Sequence, residues 1–447
     1  MIRSRICGAG TSRIRGRTIA VVMGIGSLLI STSTIAQNPP TTIIYRVTTT
    51  ADLIDDNIAD GVCHTSANTC SLRAAVIQAN HLATVNLVVQ ISVPAGTFVL
   101  TRNTNGNGEE NFDLNLTTPL GAAQQIVITG AGADRTIIDG NLTDRLIYVQ
   151  NGRVAELRTL TLRHGRADDG GAIYNTGLLS ISDCVIESNL AINAGDGGGI
   201  YNASGSELVV QDTTIRANAA VDGAGLYTAG SAKIRSSTLH GNTSVDGGGI
   251  YDTGSLILIN STLSSNTADS DGGGLYSDSD AFLYNASVVG NIADVDHDIN
   301  GGLGGGVYAE PGARVVMINT MVAGNGVNGG FDDDDCDGSF ELYGFNLFGE
   351  AVHCSFTGNG GLAYNFMSVD SIGPLRDNGG PTPTHALLPG SEAIDATTAQ
   401  GCSDQAGGPL LNDQRGAPRV AGARCDVGAY EYGAVIDRIF RDSFEQG

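Results

Sequence analysis

The chain has 447 residues, with 24 basic and 47 acidic side chains and a formal net charge of −23. An acid excess of that size repels nucleic acid and anionic membrane surfaces, which excludes both as electrostatic partners. Glycine at 63 residues, against 11 prolines and 16% charged residues, describes neither a disordered linker nor a charged coiled coil but a folded repeat.

Residues 1–36 have the layout of a secretory signal peptide. Arg3, Arg5, Arg13, Arg15 and Arg17 precede an apolar run from Ile19 to Ile30, and small residues follow to Thr34-Ile35-Ala36. The run is too short to span a bilayer. The expectation is cleavage after Ala36, loss of Cys7 with the leader, and a protein that is secreted or held at the cell surface with no transmembrane segment.

Residues 37–85 are read as an N-terminal cap. Ser71 is placed to cap a helix from Leu72 to Ala79, in which Leu72, Ala75, Val76 and Ala79 share one face and Asn80 is the stop. Cys63 and Cys70 bracket the loop that enters it. Cys336 with Cys354, and Cys402 with Cys425, are neighbours of the same kind. In a chain bound for an oxidising compartment these predict three local structural disulfides, and no C-x-x-C spacing argues for a metal cluster instead.

Residues 86–330 predict the body of the fold. Asp-Gly-Gly-Ala-Ile-Tyr174 recurs in variant form ending at Tyr201, Tyr227, Tyr251 and Tyr276, and more distantly at Tyr308. A second landmark, aliphatic-x-x-Asn, ends at Asn189, Asn218, Asn242, Asn266, Asn291 and Asn325. Alignment on these asparagines sets Leu179, Leu208, Ala232, Leu256, Ala281 and Val315 in one column. Ile181, Val210, Ile234, Leu258, Leu283 and Met317 fall in the column two residues on, and Ile186, Ile215, Leu239, Leu263, Val288 and Val322 in a third. A two-residue step with one greasy face is strand periodicity, and two or three glycines at the same place in each unit rule out helical repeats. The prediction is an all-β, single-stranded right-handed parallel β-helix of roughly ten coils, a rod of about 50 Å. Asp183, Asp212, Ser236, Asn260, Asn285 and Asn319 form a polar column expected to hydrogen-bond along the stack at a bend. The next column, Cys184, Thr213, Ser237, Ser261, Ala286 and Thr320, holds small side chains, which makes Cys184 a buried thiol.

Two stretches carry a family resemblance. Cys70-Ser71-Leu72-Arg73-Ala74-Ala75 closely resembles the Cys-Ser-Leu-Arg-Glu-Ala signature of exported bacterial β-helix proteins, with Ala74 in place of the glutamate, and the coils resemble the repeats of polymorphic outer-membrane proteins. Within residues 331–433, Gly373-Pro374-Leu375, Asp377-Asn378-Gly379-Gly380-Pro381-Thr382-Pro383-Thr384-His385, Gly390-Ser391-Glu392-Ala393-Ile394-Asp395, Asp413-Gln414-Arg415-Gly416 and Cys425-Asp426-Val427-Gly428-Ala429-Tyr430-Glu431 resemble the choice-of-anchor domain termed Q. Glu392 stands where that pattern has proline. These resemblances imply an extracellular β-helix of the pectate-lyase-like superfold with a loop-rich C-terminal cap and variable surface attachment; they imply no reaction. The tail, residues 434–447, is similar to a short aromatic–acidic ending of some exported proteins.

Chemistry has few candidates. Asp169, Asp196, Asp222, Asp246 and Asp271 precede the glycine runs and should form a column, either solvated or bridged by calcium. Asp332–Asp335 beside Cys336, and Asp52, Asp55, Asp56 and Asp60, invite the same pair of readings, and none has the alternating spacing of a calcium loop. No other cofactor is indicated. An enzyme reading would take Asp168 and Asp169 as acid and base with Arg163 and His164 nearby. Against it, Lys233 is the only lysine and tryptophan, the usual sugar platform, is missing. No catalytic residue is therefore assigned. His385 reads as a structural hydrogen-bonder. The repeated tyrosines form either a ladder at a sugar-binding face or packing at a turn. The sequence thus favours a non-catalytic rod for adhesion, matrix contact or ligand display, its partner a polysaccharide or a cell-surface protein. The rival is a carbohydrate-active enzyme. No sequence feature speaks to oligomeric state.

Overall fold

Columns in the sequence are vertical files in the molecule. The computed structural model describes residues 40–82, 86–102, 113–117, 124–295, 302–327, 332–358, 364–398 and 401–436. The expected leader, residues 1–36, and the tail from residue 437 lie outside them. Leu179, Leu208, Ala232, Leu256, Ala281 and Val315 are consecutive register partners on parallel strands. Ile186, Ile215, Leu239, Leu263, Val288 and Val322 are partners in the same way. All are buried and belong to one core that runs the length of the stack. The chain is a right-handed parallel β-helix. No coil could bury its inward side chains alone, and each neighbour supplies the missing wall.

A middle coil shows the plan. Ile250–Asp252 carries a tyrosine outward, a short bend leads to Ser255–Ile259, and a sharper bend leads to Thr262–Ser264. Among the described residues the third file holds eleven strands, stacked in chain order from Gly96–Val99 to Tyr364–Phe366. Stacking does not end at residue 330, where the repeats fade. Cys336–Tyr343 pairs with Arg314–Ile318 and His353–Thr357 with Cys336–Tyr343, all in parallel.

The sharper bend is where the polar column lies. Asp183, Asp212, Ser236, Asn260, Asn285 and Asn319 all have φ between 47° and 52°, the left-handed conformation that Asn and Asp tolerate best. Of these, Asn319 hydrogen-bonds along the stack as the sequence suggested, its Oδ1 accepting from Phe345 N–H of the next coil at 3.0 Å. The next column forms a continuous series of such bonds: the Thr213 hydroxyl accepts from Cys184 N–H, Ser237 from Thr213 N–H and Ser261 from Ser237 N–H, at 3.2–3.3 Å. Cys184 is buried and unpaired.

A second polar ladder lies inside the turn after the third file. Each Asn Nδ2 donates to the Oδ1 of the next, from Asn189 through Asn218, Asn242, Asn266 and Asn291 to Asn325, at 2.8–3.0 Å. Asp335 ends the series by accepting from Asn325 at 2.8 Å. Burial pushes the Asp335 carboxyl up to about 7. The acidic run at residues 332–335 is therefore not simply an exposed loop: Asp334 and Asp335 are buried.

Both margins of the stack are dressed. The helix Leu72–His81 begins at Ser71, whose hydroxyl accepts from Ala74 N–H at 3.0 Å, and it packs on Leu87–Ser92 and Leu114–Leu116 at the first coils. It runs past the expected stop at Asn80, whose side chain instead ties Asn115 and Thr117. Every residue from Leu72 to Asn80 is buried, including Arg73, which pairs with Asp52 at 2.6 Å. The disulfides Cys63–Cys70, Cys336–Cys354 and Cys402–Cys425 are all formed. Beyond residue 366 the chain turns back and lies along the third file. Val289, Met321 and Leu347 are covered by Leu387, Ala393 and Val427, and Asn260, Asn285 and Asn319 donate to the carbonyls of Asn412, Ser403 and Gly401. Among the described residues no helix is long and apolar enough to cross a membrane.

Candidate functional site

One flank carries both repeated motifs. Tyr174, Tyr201, Tyr227, Tyr251, Tyr276 and Tyr308 are successive register partners, and Tyr148 adds a seventh at the start. From Tyr174 to Tyr276 the rings are stacked, with centroids 4.5–5.4 Å apart and planes within 7°. Each ring is half-buried. Stacking closes the ring faces against one another, so solvent meets phenol edges and hydroxyls instead of aromatic platforms. Burial, with help from neighbouring phenols and aspartates, pushes Tyr201 up to about 12 and keeps it a neutral donor.

The glycine runs make room for this flank. Gly247 has φ +62°, and a Cβ on Gly248 would lie 2.5 Å from the carbonyl oxygens of Gly273 and Thr267. Only glycine allows the coils to close there. The aspartate at the head of each run points along the stack. Asp169 accepts from Asp196 N–H, Asp196 from Asp222 N–H, Asp246 from Asp271 N–H and Asp271 from Leu303 N–H, at 2.8–3.3 Å. Backbone donors thus do part of what a bridging cation would do. Burial, reinforced by neighbouring aspartates, still raises three carboxyls of this column: Asp196 and Asp271 to about 6, and Asp222 to about 7.

At the N-terminal end of the flank a cation joins the acids. Arg145 lies 5.0 Å over the Tyr174 ring and pairs with Asp113 at 3.2 Å. Its remaining hydrogen bonds go to the carbonyls of Asp169 and Gly170. Burial pushes Asp113 up to about 6 against the pull of Arg145. Sequence reading missed both residues, because neither belongs to the repeat. Tyr148 was legible in Ile147-Tyr148-Val149, which copies Ile173-Tyr174-Asn175 without the preceding glycines.

The residues weighed for acid–base catalysis do not converge. Arg163 and His164 both turn to Asp139, at 2.8 and 3.2 Å; against burial, the Asn141 N–H that it accepts from, then these two side chains, hold its carboxyl below the usual range. Asp168 accepts from the Asn193 side chain, while Asp169 faces the coil above. The N-terminal acids also have partners: Asp52 has Arg73, Asp55 accepts from Asn57 and His64 N–H, and Asp56 and Asp60 flank His64. His385 is buried between Ser264 Oγ at 2.9 Å and Gly373 O at 2.7 Å. A polar cleft of about 410 Å³, which the sequence did not announce, opens where Gln211, Asp212, Arg235 and Ser236 on the coils face Pro409, Leu411 and Gln414 on the returning segment.

Comparison with known proteins agrees with this architecture. A family model described as "Right handed beta helix region" matches residues 125–293. Among solved structures, the crystal structure of pectate lyase Pel9A is similar, with a TM-score of 0.53 and 15% identity over 88% of this chain and 96% of that one. No curated protein matches. At such identity the likeness is one of fold, and the fold is a right-handed parallel β-helix.

Proposed function

We propose that this protein is exported, and works at or near the cell surface as a non-catalytic β-helical rod that holds an uncharged polysaccharide along its tyrosine–aspartate flank. The observation that carries this reading is the flank's periodicity. A row of phenol hydroxyls beside a row of carboxyls repeats at the coil spacing, as an extended polymer repeats its own hydroxyls. Acidity disfavours polyanionic chains. The signal-like leader, the three disulfides and the resemblance to exported surface proteins support the location. Arg145 gives the rival enzyme its one foothold, since a raised carboxyl and a cation meet there. Its hydrogen bonds to Asp113 and to two carbonyls make it a bracket for the coils and a poor proton carrier.

The test is a glycan array and a polysaccharide-degradation panel, each run with and without calcium. Binding without depolymerisation is expected, and replacing Tyr201, Tyr227 and Tyr251 together by Phe should weaken it at least tenfold while the ring stack survives. Depolymerisation that disappears in Asp113→Asn or Arg145→Ala would establish the enzyme instead.

A further inference from the structure

The tyrosine file does not simply stop. Tyr308 is the register partner of Asp337, and Asp337 of His353, so the last two coils replace the aromatic rings by a carboxylate and an imidazole. The disulfide Cys336–Cys354 ties the same two strands beside them. A third group enters from the turn before: Asp334, whose Oδ2 is 3.3 Å from His353 Nδ1 and whose side chain is only 9% exposed. Its other oxygen, Oδ1, is shut off from solvent and makes no hydrogen bond. One ligand atom from each of Asp334, Asp337 and His353 lies within 4.8 Å of the other two.

Two carboxylates face one imidazole, so the trio keeps a net negative charge even when His353 is protonated. A buried carboxylate oxygen without a donor is costly, and a second carboxylate at that range adds repulsion. A divalent cation would satisfy the orphan oxygen and neutralise both acids. The imidazole selects among cations: calcium and magnesium prefer all-oxygen shells, whereas one nitrogen with two carboxylates suits zinc and its first-row neighbours. We infer that Asp334, Asp337 and His353 form a zinc-class metal site that fastens the last coils of the rod. The inference is independent of the ligand proposed for the flank.

Titration calorimetry of the tag-free protein, stripped with chelator, with Zn²⁺, Mn²⁺ and Ca²⁺ tests it. One Zn²⁺ per chain is expected, with His353→Ala and Asp337→Asn each weakening it about tenfold or more. The His353 side chain is 58% exposed, so H353A should fold as the parent does, and a thermal scan checks this. Zn²⁺ should raise the thermal midpoint of the parent and leave that of H353A unmoved. His64→Ala, at the separate His64 cluster, should bind Zn²⁺ as the parent does. Absence of Zn²⁺ binding, binding lost in H64A but kept in H353A, or a preference for Ca²⁺ indifferent to His353 would each overturn the assignment.

Discussion

Asn242 shows how much one side chain carries in this molecule. Its Nδ2 donates to Ile215 O and Asn266 Oδ1, and its Oδ1 accepts from both the backbone and the side chain of Asn218, all at 2.9–3.1 Å and all out of water. Asn242→Ala would orphan several of these groups at once, at a cost of about 3 kcal/mol or more. A fall in the denaturant midpoint well beyond that of an exposed control substitution would confirm it. Asp222 acts in the opposite sense. Its carboxyl is raised to about 7 by burial and by its neighbours Asp196 and Asp246, so the folded state favours the neutral acid. The stabilisation is complete below the ordinary carboxylate range and is lost as pH rises through about 7. Asp222→Asn, which keeps an acceptor and removes the charge, should therefore melt higher than the parent at about pH 8. The gap should vanish near pH 4. Thermal scans of the pair across that range give the answer, and a pH-independent gap would contradict the assigned cause.

The coil was legible because burial repeats by column. Leu, Ile and Val recur where strands face inward, and the six polar residues from Asp183 to Asn319 mark one bend. What the last three of those side chains bond to was not legible: the partners of Asn260, Asn285 and Asn319 at residues 401–412 are 152, 118 and 82 residues away in sequence and belong to no repeat. Tyr–Tyr stacking could be anticipated from spacing, whereas the closure of ring faces depends on side-chain torsions that no column records. Asp113, Arg145 and the Asp334–Asp337–His353 trio come from irregular ends, where only the fold brings them together. Glycine placement belongs to this scale too. Gly248→Ala would force a methyl into two carbonyls and should destabilise the coil by about 2 kcal/mol or more. The same change at Gly241, where a Cβ meets nothing within 4 Å but φ is +63°, should cost only about 1 kcal/mol. Equal losses at the two sites would refute the steric account.

Open solenoids invite edge-to-edge association, and this one answers along its length as well as at its start. The helix Leu72–His81 covers the first coils. The segment from residue 367 onward shields the third file, burying Thr238, Thr262 and Ser287 and bonding Gln414 to Thr238 and Thr262. Removing residues 368–447 should leave the coils wound but expose Val289, Met321 and Leu347 as a continuous apolar strip. The truncated chain is expected to bind a hydrophobic dye and to associate, while its far-ultraviolet spectrum stays β-rich. Loss of that spectrum would mean that the returning segment is needed to wind the rod, not only to shield it.

Cys184 gives the rod an internal clock. It is the one unpaired thiol among the described residues and is sealed in the core, where burial pushes it up to about 12 and holds it unreactive. An alkylating reagent can capture it only when the windings around it come apart. The pace of labelling at that single sulfur thus reads how often the middle of the rod breathes.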